Sequence, residues 1–157
     1  LELCQAYPVG KIVLMGTSMG GSVALNYASV AQPSIKSKIV GVVSVEGTGD
    51  LKKLYQTSDK SVVKLGIVRA MGGLPEQTPS AYAEASLLSH LDKVPGSVRF
   101  SIISARKDDT VPSLLQKQLF ETLEKSGYQS KFIEIDTAHE FPEPEIFLEG
   151  MEFILKN

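Results

Sequence analysis

The sequence predicts an α/β fold, a mostly parallel sheet of about four strands joined by crossover helices, and three observations carry that expectation. Four short runs rich in β-branched residues recur along the 157 residues. Longer stretches with helical apolar spacing lie between them, the alternation expected of crossover connections. The runs also lead into segments that hold Ser18, Glu46, Asp108 and His139, at the carboxyl ends of strands, where open α/β sheets place their ligands.

The strands fall near 11–15, 38–45, 98–104 and 130–135, and the helices near 19–31, 80–91, 113–126 and 143–156. Helix 19–31 begins within Gly16-Thr17-Ser18-Met19-Gly20-Gly21 and continues through the alanine-rich Ser22-Val23-Ala24-Leu25-Asn26-Tyr27-Ala28. Helix 113–126 carries Leu114, Leu115, Gln118, Leu119, Thr122 and Leu123 on one side, and Gly127 supplies its stop signal. Pro142 and Pro144 open the last helix, where a missing N–H costs nothing. Residues 47–79 fit the alternation poorly and are read as an insert. Its apolar residues include Leu51, Leu54, Val62, Val63, Leu65, Ile67 and Met71, and Met71-Gly72-Gly73 reads as a hinge or a plain loop.

The segment from Ile12 to Ala28 is a strand, a tight turn and a helix, with Ser18 at the turn. A G-x-S-x-G sequence in that setting thrusts the serine hydroxyl above the end of the sheet. Gly16 and Gly20 are expected where a β-carbon would clash, and Gly21 where the helix approaches the preceding strand. A serine needs a base to take its proton, and two histidines are available. His139, in the loop Asp136 to Pro142 after a strand, is placed for that task; His90 reads as a polar residue near a helix end. A carboxylate must hold the imidazole in one tautomer, and Asp108 and Asp109 both follow the third strand, while Glu46 ends the second.

Ser18, an acid and His139 occur in the order nucleophile, acid, histidine, and with the pieces Gly-Thr-Ser-Met-Gly-Gly, Asp-Asp-Thr-Val-Pro and Ala-His-Glu-Phe-Pro the chain resembles the C-terminal half of an α/β-hydrolase. The likeness runs from Lys11, at the nucleophile-bearing strand, to Lys156 in the last helix. It implies a partial α/β-hydrolase domain over residues 1–157, with 47–79 as a cap over the active site. The D-x-x-V-P spacing of the family's acid falls on Asp108, leaving Asp109 as a solvated neighbour or helix cap. Some members carry the acid after the earlier strand, which keeps Glu46 as the alternative. The resemblance also implies Met19 N–H as an oxyanion donor. The residues before Lys11 read as the end of a helix and a turn, without the family's first four strands or its His-Gly-type loop. The expected protein is therefore a half-fold that associates with itself or needs an N-terminal segment.

Composition bounds the function. The chain is 43% hydrophobic and 22% charged, with a net charge of −2; it shows no clustered Lys and Arg for nucleic acid or an anionic membrane. No run approaches the roughly 18 apolar residues that a membrane span requires. The single Cys4 excludes an intrachain disulfide or a multi-cysteine metal site, and no metal or organic cofactor is expected. The expected activity is serine hydrolysis of a carboxylic ester or related acyl bond on a small-molecule substrate. The alternative is a catalytically weak half-fold that binds or depends on a partner.

Overall fold

The computed structural model describes residues 8–156. Strand β1 (Ile12–Thr17) leads into helix α1 (Met19–Val30) and the single turn α2 (Pro33–Lys36), and strand β2 (Ile39–Val45) follows. Helices α3 (Leu51–Thr57), α4 (Ser61–Met71) and α5 (Pro79–Glu84) come next, then two short 3-10 turns, Leu87–Ser89 and Leu91–Lys93. Strand β3 (Arg99–Ala105), helix α6 (Ser113–Lys125), strand β4 (Ser130–Ile135) and helix α7 (Pro144–Leu155) complete the chain. The helix end read before Lys11 falls mainly on residues 1–7, outside the described residues; residues 8–11 are irregular.

The four strands pair in sequence order and all in parallel. Val43 stands opposite Met15 and Ser101, and Val45 opposite Thr17 and Ile103, so the strands end level with one another and their carboxyl-terminal loops share one edge. Right-handed crossovers between sequential parallel strands put the connecting helices on one face. That face carries Val42, Phe100 and Ile102 against Ala24, Leu25 and Ala28 of α1 and Leu119 and Leu123 of α6. The opposite face, with Val43, Val45, Ile103 and Ile133, is covered by α7 through Ile154, Met151 and Phe147. Helix α7 rests chiefly on β2, β3 and β4. Met15 of β1 remains 46% exposed beyond it, and among the described residues β1 is an edge strand of the sheet.

Several expectations need correction. The helix expected over 80–91 stops at Glu84 because Ser86 turns its hydroxyl to the Tyr82 carbonyl while accepting the Leu51 N–H, a side-chain bond that competes with helix continuation. His90 therefore sits between two 3-10 turns. Helix α6 is rotated from the expected stripe: Leu114 and Gln118 are exposed, and Gln116 is buried with Leu115, Leu119 and Leu123. Strand β1 runs to Thr17, two residues further than expected, because Gly16 and Thr17 still pair with Ser44 and Val45. Residues 47–79 hold two helices, and Gly72 ends the second in a left-handed C-cap with φ of 75°, so it acts as a helix stop.

Helix α7 lies close to the sheet at a point where β2 has no side chain. A β-carbon on Gly41 would meet Ile154 Cγ2 at 2.3 Å. We expect Gly41→Ala to destabilise the fold by about 1–3 kcal/mol, the cost of overpacking a filled core. In urea unfolding, Gly41→Ala combined with Ile154→Val should cost less than the sum of the two changes, as for residues in contact.

Candidate active site

Ser18 occupies the turn between β1 and α1 with φ of 54° and ψ of −120°, a conformation costing on the order of 1–3 kcal/mol for a residue with a β-carbon. Its surroundings leave no alternative. Ser18 N–H continues the parallel ladder onto the Val45 carbonyl at 2.7 Å, and the Ser18 carbonyl already accepts the Ser22 N–H of the first helical turn. The helix then doubles back so tightly that a β-carbon on Gly16 would meet the Gly20 carbonyl oxygen at 2.2 Å. The expected clash at Gly20 itself is absent, since that position is open. The third glycine approaches two strands: a β-carbon on Gly21 would meet the Gly16 carbonyl of the preceding strand at 3.1 Å, as expected, and also Ser44 Oγ at 2.8 Å and the Val45 carbonyl at 3.0 Å of β2.

His139 crosses from the loop after β4 to reach this serine. Its Nε2 is 2.8 Å from Ser18 Oγ, and its Nδ1 is 2.8 Å from Asp108 Oδ2. Residues 121 apart in sequence are thus joined directly. The loops that carry the acid and the histidine are laced together: Arg106 N–H donates to the Ile135 carbonyl and Lys107 N–H to that of Thr137. Asp108 Oδ1 accepts the Thr110 and Val111 N–H groups, each at 2.8 Å, which leaves Oδ2 for the imidazole. With a carboxylate on Nδ1, the ring proton lies there and Nε2 offers its lone pair to the serine hydroxyl. This array can draw a proton from Ser18 and hold the resulting imidazolium.

The competing acids divide sharply. Asp109 is mostly exposed and pairs with Lys60 Nζ at 2.6 Å; that hydrogen bond holds its carboxyl below the usual range. Glu46 is completely buried, has φ of 52° and places Oε2 3.1 Å from His139 Nδ1. Asp108 Oδ2 is the closer acceptor, hydrogen-bonded to Nδ1 at 2.8 Å, while Glu46 stands at ion-pair distance from the same nitrogen. Burial pushes the Glu46 carboxyl above the ordinary glutamate range; His139 opposes the shift and Asp108 adds to it. Glu46, Asp108 and His139 bring one donor atom each within 4.8 Å of one another. Such a cluster was not expected from spacing, because its three members come from three separate loops.

One residue at the site escaped the sequence reading. Gln116 of α6 is buried, donates to the Val111 carbonyl at 2.8 Å and lies 3.4 Å from Asp108 Oδ2, thereby tying the acid's loop to a helix. Its signal was present as a polar residue on the 116, 119, 123 face. His90 neither bonds to Ser18 nor lines the slot beside it. Met19 is the first residue of α1, where a backbone N–H lacks an intrahelical acceptor.

Beside Ser18 opens a slot of about 520 Å³ between α1 and α4, with Leu51 and Leu54 of α3 and Val111 in its wall. Leu54, Val111 and Leu115 form a small core on which Val63 and Ile67 of α4 rest. The same Val111 whose N–H holds Asp108 thus supports the helix that borders the slot.

The residues from 1 to 85 match the family model described as alpha/beta hydrolase fold, and the chain belongs to that family. Among solved structures it is similar to the uncomplexed acylaminoacyl peptidase of Pyrococcus horikoshii, with TM-score 0.70 and 19% identity, covering 88% of this chain and 22% of that one. It is similar to a puromycin-hydrolyzing peptidase of Mycobacterium tuberculosis, with TM-score 0.71 and 19% identity over 92% of this chain and 21% of that one. Dipeptidyl peptidase 4 of Porphyromonas gingivalis gives TM-score 0.69 and 17% identity over 95% and 20%. The chain spans about a fifth of the length of each. No curated protein matches it.

The buried Glu46 makes a prediction about stability. A carboxyl whose folded pKa lies above its unfolded value favours the fold at low pH, and that contribution is lost as pH rises above about 4.5 through the raised folded value. Glu46→Gln keeps the shape without the ionisation. Urea midpoints should show the variant gaining on the parent between pH 4 and pH 8; a difference that stays constant would mean that Glu46 ionises without cost.

Proposed function

We propose that the chain is the catalytic part of a serine hydrolase that cleaves a carboxylic ester or related acyl bond. The observation that carries this reading is the unbroken hydrogen-bonded line from Ser18 Oγ through His139 to Asp108 Oδ2, with 2.8 Å at each contact. Ser18 attacks the carbonyl carbon while His139 Nε2 takes its proton, and the imidazolium is stabilised by Asp108. The tetrahedral oxyanion is met by the Met19 N–H at the amino end of α1, where the helix dipole also favours negative charge. Collapse expels the alcohol, which receives the proton from Nε2, and leaves an acyl group on Ser18. Water, deprotonated by the same imidazole, releases the acid.

Asp108 is the orienting acid in this scheme, because its second oxygen is anchored by two backbone N–H groups. Glu46, whose carboxyl burial pushes above the ordinary range, stands beside it 3.1 Å from the same nitrogen. Residues 47–79 act as the cap, since α3 and α4 border the slot at Ser18. A second reading, a half-fold of low turnover that depends on a partner, is favoured by the edge position of β1 among the described residues and half-exposed Met15. Removing one oxyanion donor costs about 10²–10³ in rate, so a hole with Met19 alone would react slowly.

A fluorophosphonate probe tests the nucleophile without requiring the right substrate. It should label the chain, and Ser18→Ala should abolish labelling while the fold persists; equal labelling of both would place the reactive group elsewhere. Where turnover is measurable, Asp108→Asn should lower kcat by about 10⁴, the loss known for an amide in that position of a triad. Glu46→Gln and Asp109→Asn should cost far less, and a larger loss for Glu46→Gln would transfer the acid to the end of β2.

A further inference from the structure

We propose that the slot between α1 and α4 binds the acyl portion of the substrate, and that this portion is an uncharged apolar chain of medium length. The inference rests on the serine-hydrolase reading and adds to it a substrate class.

The wall of the slot decides the chemistry. Helix α1 turns Val23, Tyr27 and Val30 toward it, and α4 supplies Val63, Ile67 and Met71. Val23 is 62% exposed and Val30 53%. Among the described residues, no Asp, Glu, Lys or Arg contributes to the wall. Its polar members are uncharged, and three of them are already engaged: Asn26 Nδ2 donates to the Glu84 carbonyl, Ser22 Oγ accepts the Thr48 N–H, and Thr110 Oγ1 donates to Asp109. A free ammonium or carboxylate entering the slot would lose its hydration and meet no counter-charge, which disfavours it strongly. A chain of methylenes gains with each one buried. At about 520 Å³ the slot falls within the range of roughly 300–1,000 Å³ that encloses organic ligands.

The direction of the bond follows from where the histidine stands. Ser18 and Met19 belong to the wall, whereas His139 does not. The imidazole must hand its proton to the leaving group, so the alcohol departs on the side of His139. The slot lies on the other side of the scissile carbonyl and receives the acyl chain. In the first step the Ser18 Oγ–carbonyl carbon bond forms and the ester C–O bond breaks; water then cleaves the acyl-serine and carries the acid away.

p-Nitrophenyl acetate, butanoate and octanoate share one leaving group and differ only in what the slot would hold. The octanoate should exceed the acetate in kcat/KM by at least about tenfold, within the range that methylene contacts supply. Val23→Asp puts a carboxylate on the wall at an exposed position that the fold does not need, and should collapse the ratio of octanoate to acetate; Val23→Leu should preserve it. A readout free of turnover accompanies these: octanamide should raise the thermal midpoint of Ser18→Ala and acetamide should not, and Val23→Asp added to Ser18→Ala should remove the octanamide effect. A ratio near one in the parent, a ratio unchanged by Val23→Asp, or no octanamide stabilisation would overturn the assignment. Fluorophosphonate labelling of the parent is read separately, so a failed slot with a labelled Ser18 is distinguished from a failed nucleophile with an intact slot.

Discussion

Ser18 keeps a backbone conformation that an L-residue ordinarily avoids because three contacts fix the chain on either side of it. Its N–H is held by the Val45 carbonyl at the end of β2, its carbonyl begins α1, and Gly16 lies against the carbonyl of Gly20. None of these contacts can relax alone. A β-carbon at Gly16 or Gly21 would push α1 off the sheet, and with it the hydroxyl that the turn lifts above the strand ends. The same device recurs one strand over, where Glu46, with φ of 52°, is held by its N–H on the Ile103 carbonyl. Strain of this kind survives only where the surroundings over-determine it, and here the parallel ladder does so twice.

The level register of the strands turns these local constraints into a site. Ser18 leaves β1, Glu46 leaves β2, Asp108 follows β3 and His139 follows β4, and because the four strands end together their loops converge. Two carboxylates then face one imidazole nitrogen. Burying both in ionised form would be costly, and their surroundings are unequal: Asp108 accepts two backbone N–H groups at 2.8 Å and lies closer to the imidazole nitrogen, whereas burial dominates at Glu46. Asp108 holds the imidazole, whereas burial favours the neutral form of Glu46.

Much of this was legible in the sequence because it depends on local pattern. The β-branched runs located all four strands. The position of Ser18 in a strand–turn–helix and the placement of Asp108 and His139 after later strands could likewise be read from the chain. What could not be read depends on distance through space. The contest between Asp108 and Glu46 turns on which carboxylate comes closer to the imidazole Nδ1, and no spacing encodes that. Gln116 was hidden because a buried amide on an amphipathic helix looks like a surface residue until its partner, the Val111 carbonyl, is brought beneath it. The break at Ser86 depended on a hydroxyl finding the Tyr82 carbonyl in preference to solvent.

The account stands on the protonation of one ring. If Asp108 holds the imidazole for Ser18, the neutral His139 carries its proton on Nδ1 and leaves Nε2 as the acceptor. Long-range ¹H–¹⁵N correlation spectra of uniformly labelled protein read this tautomer directly, and with only two histidines in the chain a His90→Gln variant assigns the signals. The account predicts an Nδ1-protonated His139 at neutral pH, converting toward the other tautomer in Asp108→Asn. A parent spectrum with the proton on Nε2, or one averaged between the two nitrogens, would contradict it.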